Sequence, residues 1–240
     1  MYLSNFKEKI FNQSLSDLPD EKILITCLNA HSFNVAQKDK VFQASLQKSE
    51  IILPDGIAIV YAFRFLTGIR FKKISGHELF YHEMTQLNQK HGKCFFLGST
   101  KSTNFMIKMR VSRDYPNISV DSFSPPFKKE FNEEDNQIMI HKINAFHPEV
   151  LFIGMTAPKQ EKWAAAHFND LNVNHICCIG AVFDFYSETC KRAPKWIINL
   201  GFEWLHRLLS DPNRLWRRYI FGNPKFIKLI LMEKLKINVK

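Results

Sequence analysis

The sequence predicts an α/β protein with a Rossmann-like, mostly parallel sheet of about six strands flanked by helices, followed by a C-terminal helical appendage. Through the first 190 residues, short strand-like runs alternate with helical patterns, as in βαβ units. After residue 190 only helical patterns follow. With 240 residues, 45% of them hydrophobic, the chain is long enough to bury a core.

The predicted elements follow in chain order. We expect strands at residues 22–28, 50–53, 93–97, 118–123, 150–153 and 175–179. Helical patterns begin near His31, Ile57, Gly76, Thr100, Glu133 and Gln160. Because ligands of such a sheet bind outside the carboxyl ends of its strands, the residues directly after each strand are the candidates for a site.

We divide the chain into a catalytic domain at residues 1–190 and an appendage at residues 191–240. Helices are predicted in the appendage at residues 195–209, 212–221 and 224–236, separated by Asp211-Pro212 and Gly222-Asn223-Pro224. The appendage has twelve basic and three acidic residues, which account for +9 of the net charge of +10. It also contains three of the four tryptophans.

This mixture of basic and aromatic residues fits an anionic membrane surface or nucleic acid, and a solvated basic face remains an alternative. No run reaches the roughly 18 apolar residues of a spanning helix, and the N-terminus does not resemble a signal peptide. The five cysteines include no C-x-x-C pair, so reduced core cysteines are favoured. We therefore expect a cytoplasmic protein, peripheral on the inner face of the bacterial plasma membrane.

Asp55 is the leading candidate for a catalytic residue. It follows the apolar run of residues 51–53, and Gly56 permits close approach of a ligand to the backbone. A carboxylate at a strand end can accept a proton from an acceptor hydroxyl. The alternative is that Asp55 caps the helix beginning near Ile57, a frequent role for aspartate.

Two further strand-end loops are candidates for donor binding. Gly98, Ser99 and Thr100 open a helix whose N-terminus could hold a phosphate, although an ordinary Ser or Thr cap explains them equally well. Gly154 begins the second loop, in which Lys159 and Gln160 start a helix near the same edge. Pro and Glu at this helix start are also expected from capping alone.

The sequence disfavours a metal site and a cofactor. No His-x-x-x-His or carboxylate pair builds a metal site and no Asp-x-Asp occurs, so we expect no bound metal. Neither G-x-G-x-x-G nor G-x-x-x-x-G-K-[ST] occurs, which weakens the alternative of an NAD-type oxidoreductase. We expect no cofactor.

Several short motifs, taken in order, resemble the WecG/TagA/CpsF family of glycosyltransferases over about residues 22–221. They are Cys27-Leu28-Asn29, Pro54-Asp55-Gly56, Ser75-Gly76-His77-Glu78-Leu79, Phe96-Leu97-Gly98, Gly154 through Glu161, Gly180-Ala181-Val182-Phe183-Asp184-Phe185, Arg192-Ala193-Pro194 and Glu203-Trp204-Leu205-His206-Arg207.

The resemblance implies transfer of N-acetylmannosamine or a similar hexose from a UDP-sugar to an undecaprenyl-diphosphate-linked acceptor, by an inverting mechanism without a metal. It also implies roles for individual residues. Asp55 matches the general base, Gln160 a polar residue of the donor site, and Asn29 an asparagine beside the nucleotide sugar. The residues expected at the acceptor diphosphate are Lys73, Arg207, Arg214 and Arg217.

The chain departs from the family pattern at three positions. Cys27 stands where a threonine is usual, Lys73 where an arginine is frequent, and Glu188 where a glycine is usual. These positions bear on the identity of the sugar more than on the reaction. The alternative function is a basic nucleic-acid-binding protein, which would leave the polar strand-end loops unexplained.

Overall fold

The structure, a computed structural model, describes residues 1–237 apart from the side chains of Asn199 and Ile237. Its strands are β1 (Ile23–Leu28), β2 (Ile51–Pro54), β3 (Lys93–Gly98), β4 (Ser119–Phe123), β5 (Val150–Gly154) and β6 (His175–Cys178). They form one open sheet in the order β2-β1-β6-β5-β3-β4, with every pairing parallel. All six predicted strands are confirmed, and the sheet is wholly rather than mostly parallel.

Helices alternate with the strands as predicted. Before the appendage the helices are α1 (Ala30–Ala36), α2 (Lys40–Lys48), α3 (Ile57–Thr67), α4 (Gly76–Lys90), α5 (Lys101–Asp114), α6 (Glu133–Phe146), α7 (Lys159–Ala166) and α8 (Val182–Tyr186). Short 3₁₀ turns occur at Leu3–Phe6, Leu15–Asp17 and Phe168–Asp170. Two of these helices, α2 and α8, were not predicted. The start of α2 is set by Asp39, which accepts a hydrogen bond from the Phe42 N–H at 2.9 Å.

Both faces of the sheet are buried, which explains the continuous apolar runs of its strands. Alternate residues of β3 enter different clusters: Phe96 packs on one face with α4, α5 and α8, whereas Phe95 packs on the other face with α6 and α7. A third cluster joins the N-terminal turn with α1, α2 and α3 beside β1 and β2. Because helices cover both faces, an open crevice remains at the ends of the strands.

The appendage contains α9 (Lys195–Asn199), α10 (Glu203–Ser210), α11 (Pro212–Trp216), a π-helical turn (Arg217–Phe221) and α12 (Gly222–Ile237). Two predictions about it were wrong. The helix predicted at residues 195–209 is interrupted at Gly201, whose φ of 79° lies in the left-handed region. The break predicted at Gly222-Asn223-Pro224 is absent, because Pro224 lies in the first turn of α12, where proline is tolerated.

The last helix packs on the sheet domain. In α12, Phe226 and Ile230 join the core cluster of α1 and α3. The Glu233 carboxylate accepts hydrogen bonds from the Leu3 and Ser4 N–H groups at 2.7 and 2.8 Å. The division between residues 1–190 and 191–240 stays a prediction, and residues 238–240 of the predicted appendage lie outside the described chain.

Much of the remaining appendage exposes apolar side chains. Trp196, Leu209 and Phe221 are 65%, 74% and 64% exposed. Within residues 1–237, no helix combines the length and hydropathy that crossing a bilayer requires.

Candidate active site

The carboxyl ends of the strands open into a cavity of about 1080 Å³. The chain leaves β3 toward β4 on one side and β5 toward β6 on the other, so the topology reverses between β3 and β5. Ligands of open α/β sheets bind at such switch points. Apart from Arg217, every site residue predicted from the sequence lines this cavity.

Gly98 and Gly154 pair across the switch point. A Cβ on Gly98 would lie 2.5 Å from the Gly154 carbonyl oxygen, and one on Gly154 would lie 2.5 Å from the Phe183 ring. Both contacts are too short for any side chain, so packing alone requires glycine here. Their contact with a donor diphosphate stays a prediction.

Asp55 does not cap the helix that follows it. Gly56 occupies the N-cap of α3 with a φ of 113°, and no side chain accepts a hydrogen bond at that helix end. The Asp55 backbone N–H instead donates to the Leu28 and Leu53 carbonyls, each at 2.9 Å, while the carboxyl group lines the cavity. The capping alternative is therefore wrong, and the carboxylate remains available to a ligand.

Burial raises the pKa of Asp55 above its ordinary value, and the nearby Glu203 raises it further. Lys73, Arg207 and Arg218 act in the opposite direction, because their positive charges favour the carboxylate. A carboxylate of raised pKa in a mainly cationic cavity is suited to accept a proton from a hydroxyl group.

Asp184, in α8, is a second aspartate on the cavity wall, and the sequence did not single it out for chemistry. Burial raises its pKa, and Arg214 and Arg207 lower it in part. It is thus the alternative to Asp55 as a general base.

The Gln160 amide is oriented by two hydrogen bonds. Its oxygen accepts from the Met155 N–H at 3.2 Å, and its nitrogen donates to Glu161 Oε1 at 2.9 Å. The amide nitrogen has two N–H groups, so one stays available to a ligand in the cavity. Glu161 is 1% exposed and its Oε2 has no hydrogen-bond partner, a feature that the sequence did not reveal.

The other residues predicted for donor binding have structural contacts of their own. Asn29 caps α1 by accepting from the His31 and Ser32 N–H groups at 3.1 and 3.0 Å. Thr100 caps α5 by accepting from the Thr103 N–H at 3.1 Å. Capping thus explains these two residue types without a ligand, although both line the cavity.

Lys159 is held by the loop that precedes α6. Its Nζ donates to the Lys128 carbonyl and lies 3.5 Å from the centre of the Phe131 ring. Burial lowers its pKa. Ser99 has a φ of 55°, so the loop after β3 turns sharply before α5 begins.

The appendage brings arginines to the open side of the cavity, where Arg207, Arg214 and Arg218 line it. Arg217 does not: its guanidinium lies 5.2 Å from the centre of the Trp216 ring. Residues three and four positions after Arg214 both lie near its face of the helix, and the structure places Arg218 rather than Arg217 at the cavity. Arg218 therefore replaces Arg217 as the candidate for contact with the acceptor diphosphate.

Arg207 and Arg218 carry charge that the described chain does not neutralise directly. No carboxylate of residues 1–237 forms an ion pair with either guanidinium. Arg218 Nε is buried without a hydrogen-bond partner, and burial lowers the pKa of this group. Arg214 differs, since its Nε is 2.6 Å from Asp211 Oδ2.

Two histidines on the cavity wall are uncharged at neutral pH. Burial and Arg218 lower the pKa of His31 to about 4, and burial and Arg192 do the same for His77. Within the described part of the chain, no group of three His, Cys, Asp or Glu side chains could hold a metal ion. Neutral imidazoles can exchange hydrogen bonds with sugar hydroxyls.

The structure explains one departure from the family pattern. Glu188 has a φ of 61°, a conformation that favours glycine. Its carboxylate accepts a hydrogen bond from Arg110 at 2.8 Å, which anchors this strained residue to α5. Cys27 lines the cavity as a thiol, because burial and Asp55 raise its pKa well above its ordinary value.

Comparison with known proteins identifies relatives of the chain. The profile of the glycosyl transferase WecG/TagA/CpsF family matches residues 4–240. An N-acetylglucosaminyldiphosphoundecaprenol N-acetyl-beta-D-mannosaminyltransferase of Bacillus subtilis (strain 168) is 29% identical over 217 residues, which cover 90% of this chain and 82% of the relative. A protein of the same name from Bacillus spizizenii is 30% identical, over 83% of this chain and 75% of the relative. Another from Staphylococcus aureus (strain MRSA252) is 27% identical, over 98% of this chain and 88% of the relative.

Glu161→Gln should become more stable relative to the wild type as the pH rises. Burial raises the pKa of Glu161 from 4.5 to about 7, so the folded protein retains a proton that the unfolded chain has already released. This group therefore destabilises the wild type increasingly through that range, whereas glutamine does not ionise. Urea unfolding should show a relative gain of up to about 3 kcal/mol between about pH 5 and pH 8.

The control is Glu134→Gln, which removes an exposed carboxylate from α6. A difference between Glu161→Gln and the wild type that does not change with pH would contradict the assignment of a protonated Glu161.

Proposed function

Since the chain belongs to the glycosyl transferase WecG/TagA/CpsF family, we propose that it transfers N-acetylmannosamine, or a related hexose, from a UDP-sugar to an undecaprenyl-diphosphate-linked acceptor. Its relatives are named as N-acetylmannosaminyltransferases acting on N-acetylglucosaminyldiphosphoundecaprenol, which supports the proposed sugar and acceptor. The observation that carries the proposal is a single cavity with Asp55 on the sheet side and the Arg207 and Arg218 guanidiniums on the appendage side.

The donor diphosphate is assigned to the crevice between β3 and β5. Gly98 and Gly154 line the cavity there, and the 14-residue helix α5 begins close to Gly98. Backbone N–H groups at a helix N-terminus favour a phosphate, and Lys159 adds a positive charge. The remaining N–H of Gln160 and the side chain of Asn29 would contact the sugar.

The reaction is a direct displacement that inverts the anomeric carbon. Asp55 accepts the proton of the acceptor hydroxyl, whose oxygen forms a bond to the anomeric carbon. The bond from that carbon to the UDP oxygen breaks, and UDP leaves with the electron pair. Because the pKa of Asp55 is raised, this residue suits the role of base better than an ordinary exposed aspartate would.

Basic side chains, rather than a metal ion, are assigned to neutralise the diphosphates of the donor and the acceptor. Lys73, Arg207, Arg214 and Arg218 line the cavity, and a guanidinium can bind a phosphate with two parallel hydrogen bonds. Such preorganised charges can contribute several kcal/mol to a transition state. We assign Arg207 and Arg218 to the acceptor side because the appendage carries them.

The acceptor would reach the cavity from a membrane surface. The exposed Trp196, Leu209 and Phe221 lie in the same part of the chain as nearly all the net positive charge. Tryptophan and basic residues together favour the headgroup region of an anionic bilayer. We propose that this surface of the appendage rests on the cytoplasmic leaflet.

Asp55→Asn should reduce the transfer rate by about 100-fold or more while leaving UDP binding intact, because it removes the base with little change of shape. Steady-state transfer and UDP titration measure the two effects. Asp184→Asn is the matched comparison, since it removes the other aspartate of the cavity. Near-normal transfer by Asp55→Asn together with loss in Asp184→Asn would reassign the base to Asp184.

Transfer from UDP-N-acetylmannosamine to a short-chain polyprenyl-diphosphate N-acetylglucosamine should proceed in excess EDTA. The reason is that, in the proposed site, basic side chains neutralise the diphosphate charge that a divalent ion would otherwise neutralise. UDP release and the disaccharide product are the readouts. Loss of turnover in EDTA that magnesium or manganese restores would refute the metal-free mechanism, and no transfer from any UDP-hexose would refute the proposed reaction.

Trp196→Ala and Leu209→Ala should each weaken binding to vesicles containing phosphatidylglycerol, because each removes an exposed apolar side chain from the proposed membrane surface. Binding of the wild type should also weaken as salt rises, since each basic residue near an anionic leaflet contributes about 1 kcal/mol. Point substitutions are preferable to truncation, because α12 contributes Phe226 and Ile230 to the core.

Phe105→Ala is the control for these variants, since Phe105 is 62% exposed but lies on α5. Equal loss of vesicle binding in the control, or preference of the wild type for oligonucleotides over vesicles, would contradict the assigned surface.

A further inference from the structure

Glu203 joins three separate segments at the edge of the cavity. It is the first residue of α10, and its Oε1 accepts a hydrogen bond from Arg192 Nε at 3.4 Å. Its Oε2 lies 3.7 Å from Lys73 Nζ. Lys73 lies between α3 and α4, and Arg192 precedes α9. Each carboxylate oxygen therefore contacts a cation on a different loop.

Apolar burial does not hold α10 in place. None of its residues is fully buried, and Leu209 near its end is 74% exposed. Its ring contact, between Trp204 and Tyr219 at 5.7 Å, stays within the appendage. The polar contacts of Glu203 are therefore important candidates for what holds α10 beside the sheet domain.

Arg207 lies one turn after Glu203 on α10. Residues four apart share a face of a helix, so a contact that fixes Glu203 also fixes Arg207. Arg207 stands 5.5 Å from the centre of the Phe185 ring and lowers the pKa of Asp55 by its charge. The same helical face thus carries both the anchor and the guanidinium assigned to the acceptor.

We propose that Glu203 is a positioning residue, whose carboxylate, held between Lys73 and Arg192, fastens α10 across the cavity and so holds Arg207 opposite Asp55. The inference rests on the proposed function, because it gives Arg207 its role in transfer. Glu203 itself need not contact the substrate.

The geometry of these contacts indicates a reversible attachment. Charge-assisted hydrogen bonds between nitrogen and a carboxylate are typically about 2.7–2.9 Å long, and both Glu203 contacts are longer. The partners keep some access to solvent, with the side chains of Lys73, Arg192 and Glu203 20–24% exposed. Such an attachment can release α10 when a lipid-linked acceptor enters or leaves.

The attachment also changes the expected role of Lys73. Without an acceptor, its charge is directed at Glu203 rather than at a free diphosphate. A diphosphate entering this side of the cavity would compete with Glu203 for Lys73 and Arg192. Acceptor binding and movement of α10 would then be coupled through the same two cations.

The test compares Glu203→Gln and Glu203→Asp with the wild type in the full-length protein. Glutamine keeps the shape and removes the charge, whereas aspartate keeps the charge on a shorter side chain. Asp121→Asn is the matched control, because it breaks an ion pair of 2.8 Å with Lys108 outside the cavity. Hydrogen exchange of residues 203–210 without substrate reports on the attachment, and transfer kinetics report on its consequence.

Glu203→Gln should accelerate exchange in α10 and reduce kcat/KM for the acceptor by about 10- to 100-fold, the size expected when a catalytic group is displaced slightly. UDP affinity should stay normal, because the strand-end loops are untouched. Glu203→Asp should retain more activity than Glu203→Gln, and Asp121→Asn should match the wild type in both measurements. If Glu203→Gln does not fold, Arg192→Gln breaks one side of the attachment and should give the same pattern.

Unchanged exchange in α10, or faster exchange with normal transfer, would overturn the proposal. A change restricted to the acid limb of the pH–rate profile, with exchange unchanged, would assign Glu203 to tuning Asp55 and would also overturn it. If the wild type transfers no UDP-hexose, the proposed function fails, and the exchange measurement still decides whether Glu203 fastens α10.

Discussion

The parallel direction of all six strands is the constraint on which the rest of the molecule depends. Each crossover must return the chain to the opposite end of the sheet, so every strand delivers its carboxyl end to the same edge. Helices then cover both faces and leave this edge as the place where polar side chains can meet a ligand. Asp55, Gly98 and Gly154 come together there although they are far apart in the sequence.

The cavity combines two sources of chemistry. The sheet supplies a carboxyl group of raised pKa, the oriented amide of Gln160 and the glycines of the switch point, all attached to the buried core. The appendage supplies guanidiniums, among them that of Arg207 on α10, a helix with no fully buried residue. This arrangement can let the cationic side of the site adjust to a bulky lipid-linked acceptor while the proposed base stays fixed.

Packing and chemistry overlap at several positions, and the residue type alone did not separate them. Gly98 and Gly154 are required by steric contact, and Asn29 and Thr100 cap helices, yet all four line the cavity. Asp55 is the contrasting case, because its side chain caps nothing. Glu161 lies in the first turn of α7, where capping alone would explain a glutamate. The structure instead buries its carboxyl group, which accepts a hydrogen bond from Gln160.

The alternating pattern of apolar runs and helical segments by itself determined the six strands, most helices and the edge at which the site lies, because these follow from local periodicity and chain direction. Capping residues, the helix break at Gly201 and the alignment of Arg218 rather than Arg217 were decided only by the tertiary structure. The physical reason is that packing against distant segments decides where a helix ends and which of several neighbouring side chains faces the cavity. Contacts between distant segments, such as Glu203 with Lys73 and Arg192, have no signal in local sequence.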